Sequence, residues 1–224
     1  MIVVENVSQS FGKKCVLDDI NLTIDKNEVC ALVGKNGAGK STFIQTLLGL
    51  LPLKRGRVLI SGKEYTGKRR SNNKIAYLPE KFMLYPSLSG WENMKFFARA
   101  GSSQVNEGKM EELLSAVKLW DDRDKAIKNY SKGMLQRLGI AITLYQDSDI
   151  LLLDEPTSGL DPIGRKEVIE TLRSLKDKTI LISSHHLDEI KQLCTSVAFL
   201  NERKITKYGV EEFMKTENLG VKVE

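Results

Sequence analysis

The order of apolar and polar positions changes character along the chain, and each change predicts a different kind of element. Near the N-terminus, β-branched and apolar residues gather in short runs: "MIVVENV", "VLDDINLTI" (Val16 to Ile24) and "EVCALVG" (Glu28 to Gly34). These runs, the second of them alternating, predict strands. "STFIQTLLGLL" (Ser41 to Leu51) predicts a helix that ends before Pro52. Further strands are expected at "RVLIS" (Arg57 to Ser61) and "KIAYL" (Lys74 to Leu78). From about Ser89 to Tyr145 the pattern turns helical, with apolar residues three and four apart in "WENMKFFARA", "KMEELLSAVKLW" and "SKGMLQRLGIAITLY". After it, strand and helix alternate to the end: "DILLLDE", "PIGRKEVIETLRSL" (Pro162 to Leu175), "TILISS", "LDEIKQLC", then strands near "SVAFLN" and "RKITKYG". Such alternation predicts a parallel sheet flanked by helices, with the helical block of the middle third inserted into it. The chain has no internal repeats and no low-complexity linkers.

Composition narrows the class. At 224 residues, 41% apolar and 28% charged, the chain suits one compact globular domain that can bury a real core. No apolar run approaches the roughly 18 residues of a spanning helix; Ile150-Leu151-Leu152-Leu153 is strand-sized. "MIVVENVSQSF" lacks a basic segment followed by an apolar core, so no secretion signal is expected. Cys15, Cys30 and Cys194 show no metal-ligand spacing and are expected to be buried or half-buried free thiols. The net charge of +5 draws on "LKRGR" (Leu53 to Arg57) and "GKRRSNNK" (Gly67 to Lys74). Neither cluster is interleaved with aromatics, so both read as solvated loops and nucleic-acid binding is not expected.

Two motifs carry chemistry. "GKNGAGKS", Gly34 to Ser41, fits G-x4-G-K-[ST] and lies between a predicted strand and a predicted helix. Its glycines let backbone N–H groups turn toward phosphate oxygens at a helix N-terminus. Gly34, Asn36, Gly37, Gly39, Lys40, Ser41 and Thr42 are therefore candidate nucleotide-binding residues. Lys40 would reach the β- and γ-phosphates, and the Ser41 hydroxyl would join Mg²⁺ coordination. The second motif, "ILLLDEP", ends an apolar strand in two carboxylates. Asp154 would hold Mg²⁺, through water, at the same sheet edge. Glu155, expected to point to the other side of an extended chain, would act as general base on the attacking water. Together they predict a P-loop nucleotide hydrolase.

"YSKGMLQRL", Tyr130 to Leu138, sets the type. It resembles the signature of ATP-binding cassette (ABC) proteins, written L-S-G-G-Q with Q-R one residue later: Ser131, Gly133, Gln136 and Arg137 match, while Tyr130, Lys132 and Met134 depart. The "YSKGM" form resembles ATPase subunits of ABC-2-type exporters. Ser131 is a candidate N-cap, whose hydroxyl and following N–H groups can bind a terminal phosphate. "SGLD", Ser158 to Asp161, looks like the loop that crosses a dimer. "SSHHLDE", Ser183 to Glu189, looks like the switch in which His185 polarises the γ-phosphate and attacking water; His186 reads as a surface residue. Phe11 matches the aromatic position that stacks on adenine, or is a core-packing residue.

The resemblance implies an α/β P-loop NTPase with a RecA-like core, an N-terminal antiparallel β-subdomain and an inserted α-helical subdomain. It also implies a single domain over 1–224, with residues 1–88 and 146–224 as core and 89–145 as the helical part. Mg²⁺ and ATP would bind between two copies, each ATP held by one copy's phosphate loop and the other's signature. A separate integral membrane permease would be the partner, which implies a cytoplasmic protein on the inner face of the cell membrane.

"YLPEKF", Tyr77 to Phe82, has Glu80 where the family usually carries a glutamine near Mg²⁺ and the attacking water. An ionised carboxylate only accepts hydrogen bonds, so Glu80 could bind a hard cation but would repel an unscreened γ-phosphate. The alternative is a surface carboxylate that begins a loop. Phe82, Met83, Leu84 and Tyr85 follow in a polar setting, where they are expected to be exposed as a docking surface. The expectation is an ATPase subunit of an ABC-2-type exporter. The rivals are a soluble ABC-type ATPase acting on ribosomes or nucleic acid, and an ATP-gated scaffold without turnover.

Overall fold

The protein's structure, a computed structural model, describes residues 1–64, 75–101 and 104–218. The basic stretch "GKRRSNNK" and the expected strand start at Lys74 lie outside these residues.

A four-stranded antiparallel sheet has the order β2–β1–β4–β5, built from β1 (Ile2–Phe11), β2 (Lys14–Ile24), β4 (Arg55–Ile60) and β5 (Lys63–Glu64). The second sheet has six strands in the order β10–β9–β3–β8–β7–β6. These are β3 (Val29–Val33), β6 (Ile75–Leu78), β7 (Ile150–Asp154), β8 (Thr179–Ser183), β9 (Ser196–Asn201) and β10 (Lys204–Gly209). It is parallel from β6 through β9, and β10 returns antiparallel on β9. The fold is thus an α/β P-loop NTPase with an N-terminal antiparallel sheet and an added helical part.

The sheets differ because their strands are buried differently. β2 alternates, with Leu17, Ile20, Leu22 and Ile24 inward and charged or polar neighbours outward. β7 is apolar without interruption because both its faces are covered. Ile150 and Leu152 join the core between the two sheets, where Phe43, Ile44 and Leu47 of α1 (Lys40–Leu47) also pack. Leu151 and Leu153 join the opposite core, beneath α2 (Gly90–Gly101), α3 (Glu107–Ala116), α4 (Lys132–Tyr145) and α5 (Pro162–Arg173). Each such leucine contributes about 1.5–3 kcal/mol by leaving water.

A third cluster, on the flank of the six-stranded sheet, gathers Ala31, Val33, Val197, Ile190 of α6 (Leu187–Leu193) and Phe213 of α7 (Val210–Asn218). The periodicity did not predict α7. Its sequence is mostly polar, and the fully buried Phe213 ring, 5.6 Å from that of Phe199, is what fixes it to the sheet. Helix ends also differ from the pattern: α1 stops at Leu47 and α3 at Ala116, each followed by turns. Cys15 and Cys194 are half-buried, Cys30 is buried, and all three are free thiols.

The register aligns the C-terminal ends of the central strands. Ser183 faces both Leu32 and Asp154, and Leu78 faces Leu153, so the loops after β3, β6, β7 and β8 emerge along one edge. The chemistry-bearing residues lie there.

Candidate functional site

The loop between β3 and α1 makes one wall of a cleft of about 700 Å³. Gly37 and Gly39 take left-handed φ values of 79° and 116°. At Gly39 a side chain would also be crowded, since a Cβ would lie 3.0 Å from Val16 Cγ1. Lys40 begins α1, and its Nζ donates to Gly34 O at 2.6 Å across the loop. The buried Phe43, Ile44 and Leu47 anchor the helix, so its N-terminal N–H groups are held at the cleft.

Gly34, Asn36, Gly37, Gly39, Lys40, Ser41 and Thr42 all line this cleft, together with Glu80, Asp154, Glu155 and His185. Phe11 stands at its rim, 52% exposed, which excludes the core-packing alternative for this ring. Lys14, the cross-strand partner of Phe11, and Val16 line the same end, and the sequence pattern did not single out either.

The acidic pair is held by the hydroxyl of Ser183, at the end of β8. Ser183 Oγ donates to Asp154 Oδ1 at 2.6 Å and accepts from the Glu155 N–H at 2.8 Å. The Tyr77 hydroxyl donates to Asp154 Oδ2 at 3.4 Å. Burial, with Asp154 and then Glu80 adding negative charge, pushes the Tyr77 phenol up to about 12, so it stays a donor. Glu155 is not on an extended chain as expected. It sits at φ 47°, in a turn closed by the Ser158 N–H on Glu155 O at 3.0 Å. Holding a non-glycine residue in this left-handed conformation costs of order 1–3 kcal/mol. Glu155 Oε2 lies 2.9 Å from His185 Nδ1.

His186 is half-buried rather than a free surface group, its ring centroid 4.0 Å from that of His185. Burial and the neighbouring His185 hold its imidazole below the ordinary histidine range. Glu80 is exposed at the cleft wall.

Ser131, Gly133 and Asp161 do not line the cleft. Ser131 N-caps α4, its Oγ accepting from the Met134 N–H at 3.1 Å, and is exposed. Asp161 caps α5 in the same way, accepting from the Gly164 N–H at 2.9 Å. The two helix starts adjoin, because a Cβ on Gly133 would lie 3.2 Å from Gly164 Cα. Arg137 fixes this pair from behind. Its Nη1 donates to Val117 O at 2.8 Å, and its Nη2 pairs with Glu167 at 3.1 Å.

The donor set suits Mg-ATP. Ser41, Asp154 and Glu80 offer only oxygen ligands, and few of them, as fits a small hard cation that keeps waters and phosphate oxygens. When bound, Mg²⁺ held by these residues would offset the charge of the phosphates. Inward N–H groups, Lys40 and the open Phe11 ring suit a triphosphate and a base.

Fold and cleft together define a P-loop nucleotide-binding cassette. The ABC transporter family model matches residues 17–158, and the chain belongs to that family. It is 40% identical over 221 residues to the lantibiotic transport ATP-binding protein SrtF of Streptococcus pyogenes, covering 98% of this chain and 94% of that one. It is 31% identical over 217 residues to the linearmycin resistance ATP-binding protein LnrL of Bacillus subtilis (strain 168), covering 94% and 70%. Among solved structures, CbiO1 from Clostridium perfringens, part of the ABC transporter complex CbiONQ, superposes with a TM-score of 0.83 at 27% identity, covering 98% and 95%. An ATP-binding cassette of another ABC transporter gives 0.89 at 22% identity, covering 100% and 98%, which supports the fold alone.

Proposed function

We propose that this chain is the ATP-hydrolysing subunit of an ABC-2-type export complex, and that two copies close around two Mg-ATP to drive a separate membrane subunit. The observation that carries this reading is the convergence of Lys40, Asp154, Glu155 and His185 on one cleft while the signature helix presents its N-terminus elsewhere. Lys40 balances charge on the β- and γ-phosphates. Glu155 takes a proton from water as the water oxygen bonds to the γ-phosphorus and the bridging P–O bond breaks, releasing ADP and phosphate. His185, held through Nδ1, keeps Nε2 for the γ-phosphate. The exposed ends of α4 and α5 suit the γ-phosphate bound by a second copy.

The membrane subunit would dock beside "KFMLYP". Of the four apolar residues there, Phe82 and Leu84 turn inward, Phe82 stacking on Phe97 at 5.3 Å, whereas Met83 and Tyr85 are 85% and 44% exposed. This alternation corrects the expectation of a wholly exposed run. The exposed half continues into a groove lined by Leu88 and by Trp91 and Phe96 of α2. Buried Asn93 fixes the loop, accepting from the Tyr85 N–H at 2.8 Å and donating to Tyr85 O at 3.1 Å and Ser89 O at 2.9 Å. Among the described residues no helix is long and apolar enough to cross a membrane. The names of the lantibiotic and linearmycin relatives make small antimicrobial compounds the first cargo to assay.

Phosphate release from the purified chain with Mg-ATP, alone and after co-purification with its membrane partner, tests the reading. Turnover that requires Glu155, and recovery in the membrane fraction only when the partner is present, are expected. ATP binding without phosphate release would overturn it in favour of a scaffold.

A further inference from the structure

Glu189 is the buried carboxylate that the proposed chemistry does not use. It lies in α6, is 1% exposed, and its Oε2 accepts two hydroxyl hydrogen bonds, from Thr157 at 2.8 Å and Ser184 at 2.7 Å. Both hydroxyl-bearing residues are themselves buried. Among the described residues Oε1, also buried, has no hydrogen-bond partner, so the polar contacts of this side chain converge on one oxygen. Leaving a buried carboxyl oxygen unpaired is costly, and such a group needs a reason to persist.

The two donors come from the two loops that carry the reacting side chains. Thr157 lies two positions after Glu155, in the tight turn closed on Glu155 O. Ser184 immediately precedes His185, and its Oγ also accepts from the His186 N–H at 3.1 Å, so it grips the backbone on the far side of His185. Glu189 is rooted in turn, since its neighbour Ile190 is fully buried in the third core cluster. The path from core to Glu189, and from there to either loop, is therefore short and dry. Its far ends are the Glu155 and His185 side chains, 2.9 Å apart.

We infer that Glu189 is a positioning residue that sets the spacing between Glu155 and His185 by strutting the loop after β7 against the loop after β8. The inference rests on the assignment of those two residues to hydrolysis. Burial pushes the Glu189 carboxyl above its ordinary range, against the Ser184 and Thr157 hydroxyls, whose hydrogen bonds favour the ionised form. A glutamine carbonyl would accept the same two hydrogen bonds, whereas alanine would leave both hydroxyls unanchored.

The test uses the full chain with Mg-ATP and three variants, Glu155→Gln, Glu189→Gln and Glu189→Ala. Turnover, ATP half-saturation and the imidazole ¹⁵N shift of His185 Nδ1 are the readouts. With two histidines in the chain, a His186→Gln background assigns that signal. Glu189→Ala should lower kcat about 10-fold or more, the scale of an ångström-sized misplacement. ATP half-saturation should change by less than about twofold, marking a loss felt after binding. The Nδ1 shift should move toward its value in Glu155→Gln, and Glu189→Gln should restore most of both.

If Glu189→Ala fails to fold, Thr157→Val or Ser184→Ala removes one strut at a time and should move the same readouts by less. Normal turnover and an unmoved Nδ1 shift in these variants, with Glu155→Gln inactive, would overturn the inference alone. Normal turnover in Glu155→Gln would overturn the functional reading and the inference with it.

Discussion

The phosphate loop and the signature segment are both helix N-termini equipped for phosphate, yet they are built oppositely. The start of α1 faces a cleft that also holds three carboxylates, a histidine and an aromatic rim. The starts of α4 and α5 face outward, and their capping side chains, Ser131 and Asp161, are engaged with their own helices. On the proposed function, one end would supply chemistry without a lid, and the other a lid without chemistry. In a two-fold pair each would complete the other, which is the geometry of an isologous interface.

The largest expected effect is on the chemical side. Glu155→Gln should leave ATP binding intact and lower turnover about 10²–10⁴-fold, the reach of a general base. It should also hold two copies together around ATP. A variant that stays monomeric by sedimentation at saturating Mg-ATP would break the comparison, because the signature end would then have nothing to complete.

Complementation gives the next effect. Lys40→Ala disables the phosphate loop, and Ser131→Glu places an anion at the signature while keeping a charge that favours the helix start. Each variant alone should be inactive. Mixed in equal amounts they should recover about a quarter of the normal rate, since half the pairs are mixed and one of two sites in each is whole. No recovery in a phosphate-release assay of the mixture would mean that the two ends never share a nucleotide.

A smaller effect sharpens the role of the cleft wall. Glu80→Gln should keep most basal hydrolysis and change the Mg²⁺ concentration at half-maximal rate, or the stimulation by the membrane partner. Loss as deep as in Glu155→Gln would move the base assignment to Glu80.

The smallest is a pH effect on folding. The Glu189 carboxyl is raised above its ordinary value of 4.5 by burial, so the folded chain holds that proton more tightly than the unfolded one. Its contribution is complete below the unfolded value and is lost as pH rises through the folded one. The Ser184 and Thr157 hydroxyls oppose this shift, Glu155 adds to it and Arg165 opposes it. Glu189→Gln should therefore gain stability over the parent as pH rises from acid to neutral, read as a Tm difference that grows with pH. A constant Tm difference across that range would remove the buried proton from the account.

How much of this was legible depends on how local the signal is. The phosphate loop, the strand ending in Asp154 and Glu155, and the cap at Ser131 can be read because each is a short run whose neighbours decide its conformation. Tyr77, Ser183 and Glu189 cannot, since strand pairing and the docking of α6 bring them to the carboxylates, and each alone is an ordinary residue. The left-handed turn at Glu155 also escapes a pattern reading, because only glycine announces such a turn by its identity. α7 was missed because one deeply buried ring, Phe213, decides it against a charged background.

The strand β6 has a mechanical consequence. Among the described residues it spans Ile75–Leu78 and pairs with β7 alone, position by position from Ile75 on Ile150 to Leu78 on Leu153, and its exit leads straight to Glu80 and the loop after it. A pull along that loop loads the ladder in shear, so its hydrogen bonds share the force and yield together, whereas a peel from the side would open them singly. β6 is therefore stiff along the direction that runs from the outer loop to the edge that carries Asp154. It would transmit an axial displacement almost undiminished and absorb a lateral one, as a tie rod does in a frame.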